Sequence, residues 1–187
     1  RLALAGVVRA GGLGAMTTVS MNHQLSMWHP ALPAPAVWKF SAAEGGGFIN
    51  AVLCHEIEFA RLLWGEPVAV LANLTTLAPS RTLPDGTTVT VDADDTNLIH
   101  LRMAGGGLVT INGSALCLQG SGVRVEAYGD QGSVGFRNGP EGMRAFVATA
   151  GGKQEELPVP IPETAPPPLP IPQKTLPDAI PAHTTHP

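Results

Sequence analysis

One change of period constrains this chain more than any other feature. A helical run ends at Gly65 and Pro67, and the patterned segments after it alternate as strands do. Before that point, Ile49, Val52, Leu53, Ile57, Ala60, Leu63 and Trp64 recur at three-and-four spacing, so one face of a helix is apolar. Gly65 is suited to cap its end, and Pro67 cannot continue it. The run opens on Gly45, Gly46 and Gly47, residues that let the backbone approach a ligand or another segment closely.

Strand-like alternation then appears over residues 67–77, 87–91, 97–103, 108–115, 123–128, 133–136 and 144–150, with a turn-rich interruption at 79–86. Gly105, Gly106 and Gly107 separate two of these runs in the manner of a hairpin. Residues 15–22 alternate as well, behind a short amphipathic helix capped by Gly11 and Gly12. Residues 23–35, with three prolines and two histidines, read as a loop. The expected fold is α+β: an open, mainly antiparallel sheet packed against a long helix. Its outer face is expected to alternate in apolar residues and to be covered by a second copy, giving a homodimer or larger assembly.

At 187 residues the chain is long enough for one full core. The 18 prolines gather toward the end, in PVPIPETAPPPLPIP, so residues 1–156 are expected to form the domain and 157–187 a Pro-rich extended tail. As an SH3-type ligand the tail lacks a flanking Arg to set an orientation. A net charge of -4 with 11 basic residues gives no stripe for a phosphate backbone, which argues against nucleic acid. No apolar run approaches the roughly 20 residues that span a bilayer. Arg9 interrupts the only segment resembling a signal peptide. Cys54 and Cys117 lie in apolar segments as expected buried hydrophobes without a disulfide framework, so the expected compartment is the cytoplasm. The missing initiator Met suggests a chain that begins partway through a longer protein.

Candidate chemistry gathers around the glycine run. His55 has a side chain that exchanges protons near neutral pH; on spacing alone it reads more readily as a packed histidine bonded to a backbone carbonyl. At about 100° per residue, Ala51 shares its face, with Asn50 and Cys54 beside them. Asn50 can bond a ligand hydroxyl or cap the first turn locally. Trp38 and Lys39 offer a stacking face and a cation, and Trp38 reads equally well as a packing residue. Glu58 can orient the imidazole, and solvation is its plainer reading. Asp92, Asp94 and Asp95 lack the spacing of a calcium loop and read as structural. His55 and Glu56 lack the second histidine of a zincin, so no metal site is expected.

The WKFSAAEGGG segment, the helix bearing His55, the GEP stop, VDADDTNLIHLRMAGGG and VEAYGDQGSV together resemble, in order and spacing over residues 2–136, the C-terminal domain of the glucose-fructose oxidoreductase, inositol dehydrogenase and MocA family. The resemblance implies the substrate-binding and oligomerisation half of an NAD(P)-dependent enzyme acting on a sugar, polyol or cyclitol, inactive alone. The dinucleotide would belong to an N-terminal Rossmann domain absent here: the chain has neither a G-x-G-x-x-G turn after a strand nor the family's Glu-Lys-Pro motif. It implies a catalytic His55, and substrate contacts from His23, which corresponds loosely to a substrate-facing position. The family's usual aspartate four residues before the histidine is Ala51 here, its glycine two residues before is Leu53, and its aspartate three residues after is Glu58. Cys54-His55 is closer to a branch with Ser-His. Ala51 keeps open the alternative of a non-catalytic sugar- or protein-binding sensor or scaffold.

Overall fold

Alternation from residue 67 onward becomes a sheet, and the helical segments all lie on one of its faces. The computed structural model of the protein describes residues 2–33, 37–140 and 142–158, so the tail expected over 157–187 lies almost wholly outside the described residues. In chain order the elements are α1 (Leu2–Arg9), β1 (Met16–Gln24), two 3-10 turns (Val37–Phe40 and Ala42–Glu44), a π turn (Ile49–Leu53), α2 (Cys54–Trp64), β2 (Pro67–Thr75), β3 (Ser80–Thr82), β4 (Thr88–Thr90), β5 (Thr96–Met103), β6 (Leu108–Ser114), β7 (Gly122–Gly129), β8 (Gly132–Gly139), β9 (Gly142–Thr149) and β10 (Glu155–Leu157).

Eight strands form one sheet in the order β10-β9-β8-β7-β1-β6-β5-β2, while β3 and β4 make a separate hairpin. Every neighbouring pair in the large sheet is antiparallel except β1 and β6, which run parallel from Thr18↔Leu108 to Gln24↔Ser114. The sheet is therefore mixed, and the meander expected from the sequence is interrupted by its own first strand. Because β1 lies between β6 and β7, the connection from one to the other must pass the end of β1. Leu25 donates its N–H to Ser114 O, and Cys117 donates to Leu25 O. Gly120 permits this crossing, since a Cβ there would collide with the Gln24 carbonyl.

Val19 and Met21 on β1, Val109 and Ile111 on β6, Ile99, Leu101 and Met103 on β5, and Val125 and Ala127 on β7 are buried on one face. Phe48, Leu53, Phe59 and Ala60 cover them. Full burial of such side chains stabilises by about 1.5–3 kcal/mol each. Trp28 wedges edge-on against Phe40 and Phe48, with ring centroids at 6.1 and 5.5 Å. The covering segment comes close to β6 because residue 113 is glycine; a Cβ there would sit 2.8 Å from Phe48 Cε1 and 2.9 Å from Leu53 Cδ1.

Several expectations change in detail. The long helix is a five-residue π turn followed by an eleven-residue α-helix. The interruption at 79–86 contains β3, and β10 extends the sheet to Leu157, across the boundary expected at 156. Cys54 and Cys117 are free but only half-buried: each thiol has a polar acceptor, Asn50 O at 3.0 Å and Gln24 Oε1 at 2.9 Å. The outer sheet face is not uniformly apolar. Leu71, Leu98, Leu108 and Tyr128 are exposed there among Ser20, Asn22, His100, Thr110 and several charged residues.

Candidate functional site

The glycine run is a tight turn held by two aspartates that precede β5. Gly45 and Gly47 have φ of 74° and 105°, a region costly for other residues. Gly46 N–H donates to Ser41 O at 2.8 Å, and Gly47 N–H to Lys39 O at 3.0 Å. A Cβ on Gly46 would lie 2.6 Å from both Trp38 O and Ser41 O, so this turn holds Trp38 and Lys39 against the start of the helical run. Asp92 Oδ1 accepts from Ala42 N–H at 2.8 Å. Asp94 Oδ2 accepts from Ile49 N–H at 2.9 Å and from Asn97 Nδ2 at 2.6 Å, while Asp94 O accepts from Phe48 N–H. Asp95 accepts from Leu77 and Ala78 N–H. These carboxylates satisfy backbone donors, which is the structural role expected of them.

The turn then continues as a widened helix. Cys54 N–H reaches back five residues to Ile49 O, the bond that defines a π turn, and such turns are frequent at functional sites. In so widened a turn the residues four and five before His55, Ala51 and Asn50, both stay on its side of the helix. Both Asn50 and His55 are exposed, and Ala51 is half-buried. Asn50 Nδ2 donates to Gly46 O at 3.0 Å, the local capping role, with its Oδ1 left to face solvent.

Among the described residues the His55 ring makes no hydrogen bond, so its nitrogens are available to a ligand. Glu58 does not orient it; Glu58 Oε2 accepts from Arg61 Nη1 at 2.8 Å. Arg61 also grips Glu66 with two bonds, at 2.9 and 2.6 Å, and these hold the Glu66 carboxyl below its ordinary pKa. That clamp closes α2 beside Gly65, whose N–H donates to Arg61 O. Trp38 is exposed, and Lys39 Nζ stands 5.8 Å from its ring centroid.

His23 is placed differently from the other four candidates. It is 2% exposed and faces the helices from the end of β1, with Nε2 3.2 Å from Oε1 of Glu56, itself fully buried. His23 shares a row with Gly113 and Asn97 across three strands. Trp38, Lys39, Asn50 and His55 thus lie along one exposed segment, and His23 lies beneath it. Glu56 was the residue sequence reasoning passed over. Its signal was available: position 56 lies four residues after Val52 and four before Ala60 on the apolar stripe, where a carboxylate requires a buried partner.

A family model described as the GFO/IDH/MocA C-terminal domain matches residues 2–135, from α1 to the middle of β8. The chain belongs to the GFO/IDH/MocA C-terminal domain family. An uncharacterized oxidoreductase from Synechocystis sp. is 29% identical over 130 residues, covering 66% of this chain and 35% of the relative. The solved levoglucosan dehydrogenase in complex with NADH and L-sorbose superposes with a TM-score of 0.71 at 26% identity, over 83% of this chain and 43% of that one. An NAD binding oxidoreductase from Klebsiella pneumoniae has the same fold, with a TM-score of 0.72 at 20% identity over 83% and 43% of the two chains. The chain therefore spans less than half the length of these relatives.

In a GFO/IDH/MocA C-terminal domain such as this, the glycine turn that opens the helical run has a form that does not suit a dinucleotide pyrophosphate. The amides of Gly46, Gly47, Phe48 and Ile49 are already taken by protein acceptors, and the Asp94 carboxylate occupies the place an anion would need.

Proposed function

We propose that this chain is the substrate-binding and oligomerisation part of an NAD(P)-dependent oxidoreductase acting on a sugar, polyol or cyclitol, with the nicotinamide cofactor held by a Rossmann domain outside these 187 residues. The observation that carries the reading is the exposed, unbonded imidazole of His55 on the widened turn of a domain in this family. His55 takes the proton from the substrate hydroxyl as the C–H bond of the same carbon is broken, and returns it in the reverse direction. Asn50 Oδ1 accepts from a neighbouring hydroxyl, the Trp38 ring gives a flat apolar face, and Lys39 supplies a donor. His23 serves from below, with its Nε2 3.2 Å from Oε1 of the buried Glu56 that follows His55 in the chain. Residues 1–156 carry these tasks, in the cytoplasm, in a homodimer or larger assembly.

The test uses the full-length protein that contains this chain. Steady-state NAD(P) reduction with a panel of sugars and polyols should show turnover that His55→Asn lowers by about 10²–10⁴-fold in kcat, the usual contribution of a positioned acid-base group. The 187-residue chain by itself should show none, since nothing in it holds a nicotinamide against a substrate carbon. A full-length protein that binds a sugar without reducing NAD(P) would instead identify a sensor, the alternative that Ala51 supports.

A further inference from the structure

The β3–β4 hairpin turns one arginine into the protein. Arg81, on β3, is only 3% exposed, and its guanidinium carbon lies 5.4 Å from the Phe40 ring centroid. Burial pushes its pKa below the ordinary arginine value, and the charge of Asp95 opposes that shift. Nη2 reaches Leu32 O at 3.5 Å, a long bond, while Nη1 is buried with no hydrogen-bond partner among the described residues.

A second donor shares this condition. Trp28, in the loop after β1, is also 3% exposed, and its Nε1 has no acceptor among the described residues. Indole and guanidinium groups only donate, so neither can satisfy the other. Both residues line one small cavity of about 10 Å³, together with Asp95 and the apolar Phe40, Val91 and Leu116. The least volume that admits one water molecule is roughly 10–15 Å³.

Asp95 supplies the complementary group. It is 2% exposed, and its Oδ2 accepts from Leu77 and Ala78 N–H at 3.0 and 2.8 Å. Oδ1 accepts only from the shared Leu77 N–H, at 3.0 Å. A carboxylate offers roughly four acceptor sites, so Oδ1 keeps capacity for a further donor.

We propose that this cavity is a binding site for a single water molecule, which accepts from Arg81 Nη1 and Trp28 Nε1 and donates to the Asp95 carboxylate. About three hydrogen bonds is the usual number for a buried water, and a cavity lined by apolar groups alone would stay dry. A halide would satisfy the two donors, but the same carboxylate repels an anion, and so small a space suits the smaller, neutral ligand. The water joins the loop bearing Trp28, the hairpin bearing Arg81 and the entry to β5 at Asp95 into one polar network. Arg81 thereby reaches a carboxylate charge through its ligand, which offsets the cost of its burial.

The test is solution NMR on the full 187-residue chain, read at the indole N–H signals of its three tryptophans. Trp28→Phe identifies the Trp28 signal by its loss. In the parent that signal should show nuclear Overhauser transfer from water, with the sign of a long-held rather than a freely diffusing molecule. Arg81→Met, close in length but without donors, should lose the transfer, because the water is left with two of its three partners. No such transfer at Trp28 in the folded parent would overturn the proposal, and this measurement stands even where Arg81→Met does not fold. Transfer unaltered in a folded Arg81→Met would remove Arg81 from the site and overturn it as well. A Trp28 signal that shifts saturably with sodium bromide, and not with sodium sulfate at equal ionic strength, would overturn it in favour of a halide.

Discussion

Gly47 concentrates more of the site's architecture than its size suggests. Its φ of 105° is in the region that favours glycine, and a Cβ there would run into the Asp94 carboxylate that caps Ile49 and anchors Asn97. Gly47→Ala should therefore cost about 1–3 kcal/mol, from backbone strain alone at the lower end and from displacement of the cap at the upper. Thermal unfolding of parent and variant measures it; an unchanged midpoint would show that the turn relaxes freely. Gly45, also at positive φ but with open space around its Cβ position, provides the comparison, since alanine there tests the dihedral without the collision. The glycine triplet was legible in the sequence as a close approach, but its partner was not. The run permits an approach to a ligand or to the protein's own carboxylate, and only the fold shows that Asp94, some 45 residues away, takes that place.

At the scale of elements, the helical run shows where periodicity stops being informative. Its length, its apolar stripe and its end at Gly65 were all readable, because burial and capping select residue types at fixed spacing. The π turn over Ile49–Leu53 was not, since one extra residue in a turn has no residue signature and is set here by where Asp94 captures the Phe48 and Ile49 amides. Along that turn Asn50 is exposed and Ala51 half-buried. The α2 helix is fixed against the sheet by Phe59 and Ala60 and by the buried contact between Glu56 and His23. Removing one member of a buried polar pair strands the other, at a cost of about 3–5 kcal/mol. Glu56→Ala should show a loss of that order in urea unfolding, and Glu56→Gln, which keeps a hydrogen-bonding group, a smaller one. A Glu56→Ala protein within about 0.5 kcal/mol of the parent, the range of ordinary surface substitutions, would mean the contact is incidental.

The whole molecule has two faces of different character, and this division sets where a second copy can sit. Alternation in each strand identifies which residues share a face, but not which strand lies beside which, so the parallel pairing of β1 with β6 and the interruption of the meander were beyond what pattern alone can fix. Once the strand order is known, the outer face separates into an end that bears three exposed leucines beside His100 and Arg102, and an end that bears a row of arginines. Leu71, Leu98 and Leu108 cluster on β2, β5 and β6, while Arg124, Arg137 and Arg144 cross β7, β8 and β9. Stacked arginines resist burial against their own copy, because face-to-face packing about a two-fold axis through that end would bring like charges together with their water removed. The leucine-bearing end has one arginine, Arg102, instead of a row of three, and contact there would remove from water three leucines that are each between 43% and 71% exposed. The proposed assembly is therefore expected to be centred on β5 and β6, leaving the arginine row open to solvent. Leu98→Asp places a charge at that centre without disturbing the buried face of β5, where Ile99 and Leu101 lie. In sedimentation velocity the parent should run as a dimer or larger and Leu98→Asp as a folded monomer, whereas Arg137→Gln should leave the parent's state unchanged. Identical sedimentation of parent and Leu98→Asp would move the interface elsewhere, and a monomeric parent would remove it from this chain altogether.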